Sequence, residues 1–166
     1  MAIHKIDGVD GTNHFPRKFV TLHCSGAVTK GDWVAIDLDD STNGLGASVE
    51  KATTALPQLV FGVATETLTA AGELVVQVAG KYGTVESGGG AEVATSVAAG
   101  DFLVASTAAA GTAVEADSAT AVAGNSQANI QAALKLARIG VALAASGGGD
   151  YDAGETGVII IDQGFF

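Results

Sequence analysis

One block of sequence occurs twice, and that repetition constrains the fold more than any other feature. Val28-Thr29-Lys30-Gly31-Asp32-Trp33-Val34-Ala35 is answered by Val97-Ala98-Ala99-Gly100-Asp101-Phe102-Leu103-Val104. Further along, Phe61-Gly62-Val63-Ala64 is answered by Ile139-Gly140-Val141-Ala142. Ala71-Gly72-Glu73 with its following valines is answered by Ala153-Gly154-Glu155 with Val158, Ile159, Ile160 and Ile161. From first to last glycine the first copy spans 41 residues and the second 54. Nine of the additional residues enter between Gly100 and Gly140, near 119–131, and four enter near 146–151. Both places have the Ala, Ser, Asn and Gly composition of loops, where a structural repeat tolerates insertion.

The repeated unit reads as β. Within 32–38, Val34, Ile36 and Leu38 alternate with Trp33, Ala35 and Asp37, which places the two sets on opposite faces of a strand. The segments 19–24, 59–65, 73–79, 101–106, 136–144 and 158–162 are also short and apolar, most of them rich in β-branched residues. A glycine followed by an acid opens four of them: Gly31-Asp32, Gly72-Glu73, Gly100-Asp101 and Gly154-Glu155. Glycine supplies a turn with positive φ, and the acid is expected to keep the strand entrance solvated. Many short strands at this spacing predict a mainly β protein, a small β-barrel or β-sandwich built from two related half-repeats. We place the half-repeats at about 25–86 and 94–164 of a single β domain, 19–166, preceded by an extended N-terminal arm, 1–18. One short helix is expected at about 126–134 in the second-copy insertion, capped by Asn125 or Ser126.

Composition narrows the function. Of 166 residues 48% are hydrophobic, but 31 are alanine and only nine are aromatic, so the core is made of small side chains. A core of that kind gains from docking or oligomerisation. Eight basic residues against 18 acidic ones leave no electrostatic footprint for nucleic acid. Charge is unevenly spread: residues 1–30 carry a net +2 and all three histidines, and residues 31–166 carry −12. Cys24 alone can form neither an internal disulfide nor a thiolate metal cluster. With no apolar leader or long apolar run, the chain is expected to be soluble, made without secretion and away from membranes.

Candidate chemistry is sparse. His4, His14 and His23 have no zinc spacing, and His23 and Cys24, adjacent on a strand, point to opposite faces. Asp37, Asp39, Ser41 and Asn43 alternate like the opening of a calcium loop. Thr42 stands where that loop needs glycine and Ser48 where it needs glutamate, so an acidic turn is the better reading. The glycine runs at 88–90 and 147–149 lack the Lys-Ser/Thr of a phosphate loop and read as loop tips. No nucleophile elbow and no acid–base constellation can be assembled, so the chain reads as non-enzymatic, with no cofactor or metal.

The succession KGDWVAID, VEKAT, QLVFGVATETLTAAGELVVQVAG, AAGDFLVAS, ARIGVALAA and AGETGVIIID covers roughly residues 20–162. It resembles a family of tailed-phage capsid cement proteins, also called head decoration proteins. The resemblance implies a small β-barrel or β-sandwich that binds the outer surface of an assembled phage head. It implies the major capsid protein as partner, with neighbouring subunits clamped by a homo-oligomer, trimer or dimer. It also implies synthesis in the host cytoplasm and residence on the virion. The arm and the long insertion depart from the compact family pattern. Within the arm, Ile3, His4, Lys5, Phe15, Arg17 and Lys18 are the expected contacts with the capsid or a neighbouring copy, on the strength of the local positive charge. Phe165 and Phe166 are expected to pack against the barrel or a partner, because such a pair is costly to leave in water. The competing reading is a non-enzymatic β module of a phage tail or cell surface that contacts carbohydrate or a receptor. The scarcity of Trp and Tyr weakens it, and Trp33, at a position repeated by Phe102, reads as core.

Overall fold

A computed structural model describes residues 17–40, 48–52, 59–83, 90–106, 109–116, 138–146 and 154–162. The first repeat forms β1 (Lys18–Cys24), β2 (Trp33–Ile36), β3 (Ser48–Lys51), β4 (Val60–Ala64) and β5 (Gly72–Tyr82). The second forms β6 (Ala91–Val93), β7 (Phe102–Ala105), β8 (Ala113–Glu115), β9 (Arg138–Ala142), β10 (Gly154–Thr156) and β11 (Val158–Ile160). The fold is mainly β, as expected. The order β1-β3-β2-β4-β5 returns to β1 through an antiparallel β1–β5 pairing, which closes a five-stranded barrel. The β1–β3 contact is parallel and short, joining His23 to Ser48 and Cys24 to Val49.

The second repeat follows the same circuit. β6 pairs β8 in parallel, β7 pairs β8 and β9, β9 pairs β11, and β10 returns to β6. Only Gly157 separates β10 from β11, so together they stand where β5 stands in the first repeat. The two barrels are continuous through β5. Its first part pairs β1 as far as Ala79, and Gly80, Lys81 and Tyr82 pair β11.

The glycine–acid pair has a common geometry in both copies. Gly31 and Gly100 have φ of 96° and 95°, and the next amide closes the turn, Asp32 N onto Thr29 O and Asp101 N onto Ala98 O. Each carboxylate reaches back to accept the amide three residues earlier, Thr29 N at 2.7 Å and Ala98 N at 2.6 Å. The acid therefore locks the turn, and at Asp32, only 3% exposed, the expectation of a solvated strand entrance is corrected, whereas Glu73 is exposed as expected. Downstream, both copies carry the same register shift, at Val34/Ala35 and at Leu103/Val104.

Phe102 lies 69 residues after Trp33, Ala116 64 after Ala52, and Gly140 78 after Gly62. The β7–β8 connection is thus five residues shorter than β2–β3, and the β8–β9 connection fourteen longer than its counterpart. The nine-residue surplus is a net figure, and its site at 117–137, with the expected helix at 126–134, lies outside the described residues.

Two cores result. Cys24, Val28, Val34, Val49, Phe61, Ala64, Leu74, Val76 and Val78 fill the first barrel, all from its own repeat. The other core joins the interior of the second barrel, including Val93, Leu103, Ile139 and Val158, to Trp33, Ala35, Val60 and Val63 of the first barrel's outer wall. The expected alternation along β2 holds for Val34 and Ile36 against Trp33 and Ala35. Leu38 escapes it, exposed beyond the strand end.

Candidate interaction surface

The wall formed by β2 and β4 shows how a barrel of this design is covered. Trp33 is wholly buried; its Nε1 donates to Glu92 O at 3.1 Å and its amide to Gly111 O at 2.8 Å. Its six-membered ring comes within 3.1 Å of where a side chain on Gly140 would begin, so a residue of the first barrel completes the core of the second. Glu92 N donates to Gly31 O and Gly111 N to Ala52 O, so backbone bonds stitch the same junction. Beside them Lys51 Nζ lies 3.0 Å from the buried Asp32 carboxylate. Gly111 has φ of 75°, and a Cβ there would run into both Lys51 and Asp32. Only glycine fits this point, where three segments converge.

The corresponding wall of the second barrel is open. Phe102 occupies the position of Trp33 and is 40% exposed; Val141 occupies that of Val63 and is half-buried. Arg138 replaces Val60 and lays its guanidinium 3.7 Å from the centre of the Phe102 ring. Leu143, just past β9 on the side of Val141, is 38% exposed. Trp33 is core, as expected; at the matching position Phe102 is not, and among the described residues no second barrel lies over it. These residues were not among the expected contacts. The signal for them was the replacement of apolar Val60 by Arg138 at an otherwise matching strand position.

The turn after β2 gathers acids. Burial pushes the Asp37 carboxyl up, but hydrogen bonds from the Ser25 hydroxyl and the Asp39 and Asp40 amides outweigh it, and the net shift is downward. Asp39 is raised by its hydrogen bond to Asp37 and by that group's charge. Glu50 is raised by burial and then by Asp37 and Asp39. Among the described residues no group of three or more His, Cys, Asp and Glu side chains is arranged to hold a metal ion. Burial also raises the Cys24 thiol, which donates to Gly26 O at 3.3 Å inside the first core.

Of the expected contact residues, Ile3, His4, Lys5, Phe15, Phe165 and Phe166 lie outside the described residues. Arg17 is exposed. Lys18, assigned to the arm, in fact opens β1 opposite Ala79, and its Nζ lies 3.3 Å from Asp162. His23 and Cys24 sit side by side on β1, Cys24 inside the barrel and His23 half-buried. Trp33 and Tyr82 are both buried, Tyr82 donating its hydroxyl to Ala64 O at 2.7 Å. No family model matches this chain, and no curated protein matches it.

Proposed function

We propose that this chain is a structural virion protein that binds the outer surface of a phage head and clamps neighbouring major capsid subunits. The observation that carries the reading is the ordered series of motifs over residues 20–162, which resembles the capsid cement family and here forms two fused barrels. A clamp that binds only the assembled lattice stabilises it by mass action, and many equivalent sites let each contact be modest. A net charge of −10 suits an outward face and suits the DNA-facing interior badly. Trp33 and Tyr82 are buried and offer no ring to a sugar, which disfavours the carbohydrate-binding reading; Tyr151 lies outside the described residues. In this proposal the protein acts as a trimer or dimer, with the basic leading segment and its Arg17 laid on the shell.

Co-sedimentation of the purified chain with assembled heads tests the reading. Saturable binding to heads is expected, with a higher temperature of head disruption when the protein is bound. Deleting residues 2–17 should weaken that binding at least roughly tenfold while the barrels stay folded. A chain that ignores heads and instead saturates on a glycan array would overturn the proposal.

A further inference from the structure

We propose that Gln77 and Tyr82 hold the end of β5 in a preformed bend that serves as the docking edge for β11, so that side chains of the first repeat direct the closure of the second barrel. The inference does not rest on the capsid reading. β5 is the strand that the barrels share: it pairs β1 as far as Ala79, and Gly80, Lys81 and Tyr82 pair β11. At the change of partner Gly80 has φ of 86°, outside the range of a regular strand. A glycine alone would leave that point a hinge, because it reaches many conformations at little cost.

Two buried side chains fix the hinge. Leu74, Val76 and Val78 point into the first core, so Gln77 faces the other way, opposite Val63 of the shared core, and is itself buried. Its side-chain nitrogen donates to Ala79 O at 3.0 Å and to Lys81 O at 2.9 Å, one on each side of Gly80, which uses both amide hydrogens. Tyr82, past the bend, returns its hydroxyl to Ala64 O of β4 at 2.7 Å. A buried amide or hydroxyl that lost such partners would carry a desolvation cost, so both oppose any straightening at Gly80. All five residues belong to β4 and β5, so the bend needs no atom of the second repeat. The second repeat carries no amide at the matching place: Ile159 stands opposite Val141 as Gln77 stands opposite Val63. The amide therefore belongs to the hand-over between barrels and not to the barrel pattern.

Native-state hydrogen exchange on the full chain tests this. Gln77→Leu keeps the volume and removes both donors. Tyr82→Phe keeps the ring and removes the hydroxyl, while Ala64 O still accepts the Gly31 amide. In each variant the amides of β9 and β11 should exchange faster than in the wild type, in Gln77→Leu by at least roughly tenfold more than those of β2 and β4. An amide that only adds stability would act first on its own barrel, or on both alike. Far-UV circular dichroism checks that each variant is folded, and Tyr82→Phe, the milder change, decides alone should Gln77→Leu not fold. Exchange that quickens equally in the two barrels, mainly in the first, or in neither overturns the proposal.

Discussion

The indole of Trp33 serves both barrels at once: it leaves the outer wall of the first and fills space inside the second, above Gly140. Removing it opens a cavity at the junction and takes away the indole N–H that donates to Glu92 O. Trp33→Ala should cost about 3–5 kcal/mol in urea unfolding. Phe102→Ala, at the matching position, should cost less than about 1 kcal/mol, because its ring is exposed and stacks under the Arg138 guanidinium rather than in a core. Equal losses at the two positions would contradict the burial difference. That difference was not legible in sequence. Strand alternation tells which side chains leave a barrel wall, but whether a wall is covered depends on what the rest of the chain places opposite it. Only the arginine at 138, facing an aliphatic position in the other copy, hinted that the second wall meets water.

At the scale of elements, what could be read was what the backbone demands. Gly31 and Gly100 must adopt positive φ, the following acids must lie within reach of the turn amides, and β-branched runs mark β2, β4, β5 and β11. β3, β6 and β8 escaped, and β10 was legible only through its opening Gly154-Glu155 pair. Three of the four are only three residues long, two are built on alanine, and their pairing comes from the closing circuit rather than from local preference. The acids that follow β2, Asp37 and Asp39, with Glu50 on β3, make a pH prediction. Glu50 and Asp39 have folded pKa values above their ordinary 4.5 and 3.8, so ionising them opposes folding at neutral pH. As pH falls through that raised range, their protonation restores stability. Asp37 works in the opposite sense: its lowered pKa contributes stability above 3.8, and that contribution is lost as pH falls below it. Glu50→Gln should therefore raise the Tm at pH 7 by about 1–3 °C, and the gain should shrink towards zero near pH 4. A thermal unfolding series from pH 3 to 8 checks this; a gain that grows on acidification would refute the assignment.

The whole molecule is a duplication whose halves are not equivalent. Every residue of the first core comes from the first repeat, whereas the second core is completed by Trp33, Ala35, Val60 and Val63 from outside its own repeat. The second barrel also relies on Tyr82 and its neighbours in β5 to pair β11. Its β6, β8 and β10–β11 are shorter than β1, β3 and β5, and alanine replaces a larger residue at Ala113 against Val49. An asymmetric folding dependence follows. The fragment 1–83 keeps a closed circuit and a complete interior, although it exposes Trp33 and Val63, so it should unfold cooperatively but with reduced stability. The fragment 84–166 lacks the aromatic ring and the strand that complete it, so it should lack fixed tertiary structure alone and gain it when mixed with 1–83. Near-ultraviolet circular dichroism of the separate and mixed fragments distinguishes these states. Independent folding of 84–166 would mean that the shared core adds contact between two self-sufficient barrels, whereas folding only on mixing makes the first barrel the template on which the second is built.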